Sequence, residues 1–102
     1  MRAAIESFLG VLSLERDASP HTLAAYGRDL EKLRRSLPRG CAPKEVSGEA
    51  LRAHHASLAA SGLSPATVAR SLAACRSFFG FLRQEGEVSR DPTQSLEAAR
   101  QG

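Results

Sequence analysis

The sequence predicts an all-α fold, a bundle of four helices, and three observations support this prediction. Ala, Leu, Arg and Glu are abundant while aromatic and β-branched residues are scarce, a composition that favours helix over sheet. Apolar residues recur at spacings of three and four along most of the chain. A serine followed by a proline, which is a good helix start, occurs twice. At 102 residues, the chain is long enough for one domain with a modest core.

The first two helices are predicted over about residues 2–15 (α1) and from Ser19-Pro20 to about residue 36 (α2). Pro38 ends α2, because it disfavours helical geometry in Leu37 and has no amide hydrogen to donate. The predicted core residues are Ile5, Phe8, Leu9 and Leu12 in α1, with Val11 as a further candidate, and Leu23, Tyr26, Leu30, Leu33 and Leu37 in α2.

The third and fourth helices follow a loop over residues 41–46. A helix α3 is predicted over about residues 48–60, with Ser47 as its N-cap. A helix α4 begins after its cap, Ser64, and Gly86 is placed to end it in a left-handed conformation. The positions predicted to face inward are Leu51, His54 or His55, and Leu58 in α3, and Val68, Leu72, Cys75, Phe79 and Leu82 in α4.

The chain offers no residues arranged for an enzyme, a metal site or a disulfide framework. Two cysteines are too few for such a framework, and Cys75 is predicted to be a buried free thiol. Tyr26 falls on a core stripe, and no serine or threonine has a plausible His-plus-carboxylate arrangement. His54 and His55 point about 100° apart on a helix and cannot chelate one metal together, so one is expected half-buried and the other solvated. We expect no cofactor and no small-molecule substrate.

The sequence also lacks the features of a membrane or exported protein. No apolar run approaches the length of a membrane span, and the first residues lack the apolar segment of a signal peptide. We therefore expect a cytoplasmic protein that has no membrane partner.

Positive charge is concentrated on two segments, although the net charge is only +3. Residues 19–40 carry five basic and two acidic side chains, a sum of +3, and residues 63–83 carry three arginines and no acid, again +3. The remaining residues sum to −3. This distribution indicates a basic patch and hence an anionic partner. We predict that the partner is double-stranded DNA, because Arg and Lys on two helices can neutralise backbone phosphates.

The two basic helices also start alike, with Ser-Pro-x-Thr-aliphatic-Ala at residues 19–24 and 64–69. The threonine of each repeat either completes the cap or meets a phosphate at the helix N-terminus, and both interpretations stay open. Three arginines are interpreted as ordinary solvated side chains: Arg34, Arg39 and Arg83. The candidate DNA-binding residues are His21, Thr22, Ala25, Arg28, Lys32 and Arg35 in α2, and Ala66, Thr67, Arg70, Arg76 and Ser77 in α4.

Two runs of sequence resemble a known family: SPHTLAAYGRDL at residues 19–30 and GLSPATVARSLAACRSFFGFL at residues 62–82, followed by Asp91-Pro92. In order and spacing they resemble the N-terminal core-binding domain of tyrosine recombinases, most of all the XerC/XerD branch of the phage integrase family. The resemblance covers nearly the whole chain, although no single motif in it is diagnostic.

The resemblance implies a four-helix SAM-like bundle in which α2 and α4 lie against the major groove and phosphates of a recombination site. A separate C-terminal domain, absent from these residues, would cleave and exchange the strands. The chain itself is therefore expected not to be an enzyme, although its full-length parent would be a tyrosine recombinase. Other recombinase protomers are the implied protein partners, and the isolated domain is expected to be monomeric. Residues that match the family's runs by position are Thr22, Tyr26, Arg28, Thr67, Arg70 and Arg76.

The domain is assigned to residues 1–97, and residues 98–102 are assigned to the start of an interdomain linker. A last short turn, capped by Asp91, is predicted to run through Leu96. Gly80, inside α4, stands where the family has bulkier residues, and we expect it to allow close packing of that helix.

Two other functions remain compatible with the sequence. One is a helical protein–protein module whose basic faces meet an acidic partner. The other is a free-standing helix-turn-helix repressor, which is less favoured because the chain shows no evident dimerisation helix.

Overall fold

Four α-helices and one short 3-10 turn form the fold in the computed structural model, which describes residues 1–96. No strand occurs in this part of the chain, so the all-α prediction is confirmed. Residues 94–96 are again helical and form the predicted C-terminal turn. No helix within the described residues is long and apolar enough to cross a membrane. The elements span Arg2–Glu15 (α1), Pro20–Ser36 (α2), Pro43–Glu45 (the 3-10 turn), Gly48–Ala60 (α3) and Pro65–Gln84 (α4).

Serine hydroxyls cap α2, α3 and α4, as the sequence predicts. The Ser19 hydroxyl accepts a hydrogen bond from the Thr22 backbone N–H at 3.1 Å. Ser64 accepts one from the Thr67 backbone N–H at 3.2 Å, and Ser47 caps α3 in the same way. Each bond satisfies an amide that the helix cannot pair internally, which fixes the residue at which the helix begins.

α4 ends in a left-handed residue, whereas α2 ends in an extended one. Gly86 has a φ of +76°, and its backbone N–H donates to the Arg83 carbonyl at 3.1 Å. The next N–H, from Glu87, donates to the Leu82 carbonyl at 2.9 Å. Glycine adopts this conformation without a steric penalty. Leu37 has φ −96° and ψ 160°, because the proline that follows it disfavours helical geometry. Both predicted helix ends are confirmed.

α4 lies at the centre of the bundle and packs against α1, α2 and α3. Its Phe78 ring meets the Phe8 ring of α1 edge-on, with the ring centroids 5.6 Å apart. Such aromatic contacts are favourable beyond the apolar area that they bury. The largest fully buried side chains of the core are Phe8, Leu30, Leu33, Leu51, Cys75, Phe78, Phe79 and Leu82.

The buried face of α4 is broader than the single apolar stripe that the sequence predicts. Ser71, Ala74 and Phe78 are also buried, whereas Val68 and Leu72 are only half-buried, Leu72 being packed against the core. Because three helices pack on α4, they cover more of its circumference than one stripe of apolar residues can mark.

Two helical glycines have different surroundings. A β-carbon at Gly27 would lie 3.4 Å from the Leu9 Cδ1 atom, so α1 and α2 approach closely there. A β-carbon at Gly80 would meet no atom within 4 Å beyond its own stretch of helix. The expectation that Gly80 allows close packing is therefore wrong, because no neighbouring element approaches it.

The segment after α4 returns to the core, where Val88, Thr93 and Leu96 are buried. The Asp91 carboxylate accepts hydrogen bonds from the Thr93 backbone N–H at 2.9 Å and from the Thr93 hydroxyl at 2.6 Å. Asp91 therefore caps the last turn, as predicted. The predicted domain end and the predicted linker, residues 97–102, lie outside the described residues.

Cys41 and Cys75 are both free thiols. Cys75 is completely buried, and burial raises the pKa of its thiol to about 12. The reactive thiolate is therefore not populated at neutral pH. The prediction of a buried free thiol is confirmed for Cys75, whereas Cys41 is half-buried.

Candidate nucleic-acid interface

α2 presents four of its candidate residues on one exposed face, here called the basic face of α2. Arg28 and Lys32 lie one helical turn apart at its centre. Neither side chain forms an ion pair with any residue in the range 1–96. Both side chains are exposed to solvent. The basic face of α2 consists of His21, Arg28, Lys32 and Arg35.

Ala25, the fifth candidate residue on this side of α2, is buried and is therefore not part of the exposed face. Ala25 is only 4% exposed. It lies one turn before Asp29, on the side of α2 that is turned toward α4. Because α2 packs against both α1 and α4, its solvent-exposed arc is narrower than the spacing of polar and small residues indicates.

Glu31 neutralises part of the charge at the C-terminal end of α2. It forms an ion pair with Arg34, and the Arg35 Nε atom donates to the same carboxylate at 3.3 Å. The hydrogen bond from Arg34 lowers the pKa of Glu31 to about 2, so the carboxylate stays charged at neutral pH. Arg34 is held by this contact. Arg35 remains 75% exposed and stays on the basic face.

Arg70 has an acidic partner, which the sequence does not predict. Its Nε and Nη2 atoms donate to the two carboxylate oxygens of Asp29 at 2.9 and 2.8 Å. The Asp29 side chain is 3% exposed and that of Arg70 is 40% exposed. The hydrogen bond to Asp29 raises the pKa of Arg70 above its already high value. Arg70 is thus not the unmatched cation that its helix indicates, because the acid that pairs with it lies on α2.

Asp29 is the functional candidate that sequence reasoning missed. It stands 41 positions before Arg70 in the chain, so no periodicity within one helix connects the two residues. One signal was present: an aspartate flanked by Arg28 and Leu30 lies at a core-facing position of α2, where an unpaired carboxylate would be strongly unfavourable.

The outer face of α4 is lined by small residues. Ala66 and Ala69 are exposed, and Ala73 and Ser77 are half-buried. Side chains this small allow another surface to approach the helix backbone closely. Arg76, expected toward the flank of this face, is half-buried.

Thr22 and Thr67 are both engaged in the caps of their helices. The Ser19 hydroxyl donates to the Thr22 Oγ1 atom at 3.0 Å, and the Ser64 hydroxyl donates to the Thr67 Oγ1 atom at 2.9 Å. A threonine hydroxyl that accepts one bond still has its own hydrogen to donate. The capping role is therefore present at both positions, and it leaves a donor for an anionic oxygen.

His54 and His55, adjacent in α3, differ in burial. His54 is buried, so the expectation that one of the pair is solvated is wrong, while His55 is half-buried as expected. The His55 Nδ1 atom lies 2.8 Å from the Leu51 carbonyl oxygen, and its Nε2 atom lies 4.0 Å from the Cys75 Sγ atom. Within residues 1–96, no three His, Cys, Asp or Glu side chains lie close enough together to hold a metal ion.

A protein-family model, that of the phage integrase N-terminal SAM-like domain, matches residues 5–86 of the chain. Several curated proteins are also similar to it. The tyrosine recombinase XerD of Caulobacter vibrioides is 40% identical over 98 residues, which cover 95% of this chain and 32% of that protein. The XerD protein of Brucella suis is 43% identical over 101 residues, 96% of this chain and 33% of that protein.

A tyrosine recombinase XerC shows a similar relationship. The XerC protein of Erythrobacter litoralis is 41% identical over 99 residues, which cover 92% of this chain and 29% of that protein. The chain thus spans about a third of the length of the curated relatives that it matches. No solved structure matches the chain.

Proposed function

The chain belongs to the family of phage integrase N-terminal SAM-like domains, and on this premise we propose that it is the DNA-binding domain of a site-specific tyrosine recombinase. In this proposal α2 and α4 contact one face of the DNA at a recombination site. A C-terminal domain outside these residues cleaves and exchanges the strands. The relatives are named tyrosine recombinases. We propose that activity for the full-length protein only.

One observation supports the proposal most strongly: two exposed cations, Arg28 and Lys32, lie one turn apart on a helix that packs directly against α4, and neither forms an ion pair within residues 1–96. DNA presents a regular row of phosphates, and basic side chains on one helix face can neutralise several of them. His21 and Arg35 extend the same face toward both ends of α2. Contacts of this kind fix the position of a protein on a duplex without reading its sequence.

α4 contributes a different property to the proposed interface. The major groove of B-DNA is wide enough to admit an α-helix. Ala66, Ala69 and Ala73 project little from α4, so the helix can enter a groove with its backbone close to the base edges. Ser77 is the polar residue on this small-residue face and is the side chain that we propose contacts a base. Thr22 and Thr67 would donate to phosphates at the N-termini of the two helices.

The proposed partners follow from the family. We propose that the full-length protein meets other recombinase protomers on DNA in the cytoplasm. The isolated domain is proposed to bind a duplex as a monomer, because the basic face and α4 lie on one copy of the chain.

Fluorescence anisotropy of a labelled duplex tests the proposal directly. The affinity should fall steeply when salt is raised from about 50 mM to about 200 mM, with a log–log slope of about −0.9 for each phosphate contact. No binding at low salt, or binding that salt does not change, would contradict it. Poly-glutamate of similar length serves as the control ligand. Tighter binding to poly-glutamate than to the duplex would support a protein–protein module instead.

A further inference from the structure

The ion pair of Asp29 and Arg70 joins the two helices of the proposed DNA-binding surface. Among the ion pairs within residues 1–96, the other two lie inside α2 and connect Glu31 to its neighbours. Asp29 and Arg70 are 41 positions apart and connect α2 to α4. This pair is therefore suited to fix how the basic face of α2 lies relative to α4.

The geometry of the pair leaves part of the guanidinium group free. Arg70 uses its Nε–H and one Nη2–H, which form the same edge of the group, on the two oxygens of Asp29. A guanidinium has five N–H donors, so three remain, and no residue in the range 1–96 accepts from them. The Asp29 side chain is buried while that of Arg70 is 40% exposed. The buried carboxylate thus holds one edge of the guanidinium and leaves the other edge accessible.

A buried acid between two basic helices is not explained by attraction to DNA. A carboxylate in this position lowers the positive charge of the surface and repels phosphates. The same carboxylate can favour DNA binding in another way, because a bidentate carboxylate fixes the plane of the guanidinium group that it contacts. The arginine then has fewer conformations to lose when it binds an anion.

We propose that Asp29 is a positioning residue for DNA binding: it orients Arg70 so that the remaining N–H groups meet a backbone phosphate, and it holds α4 against α2. The inference rests on the proposed function of the domain. It makes a prediction that charge alone does not make. Removing the Asp29 carboxylate makes the protein more positive, yet it should weaken binding to DNA.

The variant Asp29→Asn tests this inference against a matched control, Glu31→Gln. Both variants remove one acid from α2 and raise the net charge by the same amount, but among residues 1–96 Glu31 pairs only with arginines of its own helix. We expect Glu31→Gln to bind a labelled duplex as tightly as the unmodified domain, or more tightly. We expect Asp29→Asn to bind about tenfold more weakly at the same salt, as for the loss of one oriented arginine contact.

The slope of log affinity against log salt concentration distinguishes a positioning role of Asp29 from a general loss of stability. Asp29→Asn should make the log–log slope less negative by up to about 0.9, because one phosphate contact is lost. A destabilised domain measured below its unfolding temperature would keep the slope of the unmodified domain. If Asp29→Asn does not fold, Arg70→Lys replaces it, since lysine keeps the charge but cannot form the bidentate contact. Arg70→Lys should then show the same loss of affinity.

Two results would overturn the inference. Binding by Asp29→Asn that is equal to or tighter than that of the unmodified domain, in step with Glu31→Gln, would make Asp29 a purely structural residue. Unchanged binding by Arg70→Lys would do the same. If the unmodified domain does not bind the duplex at low salt, the proposed function itself is wrong, and this outcome is seen before any variant is measured.

Discussion

Gly48, the first residue of α3, lies directly against Ser95 in the last turn of the described chain. A β-carbon at Gly48 would overlap the Ser95 hydroxyl oxygen and would lie 3.0 Å from the Ser95 Cβ atom and 3.3 Å from the Pro92 carbonyl oxygen. The family model ends at residue 86, but this contact and the buried Leu96 show that the core continues beyond it. The turn after α4 is therefore an integral part of the domain.

Replacing Gly48 with alanine should destabilise the domain by about 1–3 kcal/mol, because the added methyl group has no space between α3 and the last turn. The free energy of unfolding in urea measures this loss. Gly10→Ala is the control, since a β-carbon at Gly10 would meet no atom within 4 Å beyond its own stretch of helix. Equal stability of the two variants would show that the last turn is not packed against α3.

Gly80→Ala should stabilise the domain by about 0.5–1 kcal/mol. Glycine inside a helix is less favourable than alanine because it loses more backbone freedom on folding. The space beside Gly80 is open, so the new methyl group causes no clash. Thermal unfolding should show a higher midpoint for this variant. A lower midpoint would indicate that an element outside residues 1–96 packs on this part of α4.

Ser64→Ala should destabilise the domain by about 1 kcal/mol, because the hydroxyl is the acceptor for the Thr67 backbone N–H. Ser64→Gly should be milder, by a few tenths of a kcal/mol, since glycine leaves the amide accessible to water. Urea unfolding of both variants measures the difference. If the two substitutions have the same effect, the Ser64 hydroxyl does not contribute as a cap.

His54 should make the stability of the domain depend on pH. Burial lowers the pKa of His54 below the ordinary value of 6.5, and the charges of His55 in α3 and Lys32 in α2 lower it further. The unfolded chain then takes up a proton more readily than the folded one. Stability from this group is therefore complete above pH 6.5 and is lost as the pH falls through that value, by at most about 1.4 kcal/mol per pH unit.

Urea unfolding at about pH 7.5 and about pH 5.5 checks this prediction. The unmodified domain should lose more stability between the two values than the variant His54→Leu, which has no proton to gain at this position. The same loss of stability in both proteins would assign the pH dependence to other groups.

The helix boundaries could be predicted from the sequence because they depend on local chemistry. Ser19, Ser64 and Gly86 act on backbone groups within a few residues of themselves, and the structure places all three as expected. The 3-10 turn Pro43–Glu45 was not predicted, because it lies in a loop without apolar periodicity. There the Glu45 side chain accepts a hydrogen bond from the Ala42 backbone N–H.

The candidate interface was predicted less completely because it depends on which helices meet. Arg28 and Lys32 are exposed as expected. The burial of Ala25 and the acidic partner of Arg70 were not predicted for one shared reason, the packing of α2 against α4, which buries the alanine and brings Asp29 to the arginine. Helical periodicity shows which residues share a face, but it does not show what that face contacts.

The salt dependence of duplex binding by the double variant Arg28→Ala/Lys32→Ala tests the central claim most directly. Its matched control is Lys44→Ala/Arg90→Ala, which removes the same charge from a cleft that no residue of α2 or α4 lines; the lining residues are 43, 44, 46–48, 88–92, 94 and 95. If the basic face of α2 binds phosphates, the first variant should show a log–log slope less negative by about 1.8, while the control keeps the slope of the unmodified domain. Equal changes of slope in both double variants would contradict the claim, because binding would then follow net charge and not this face.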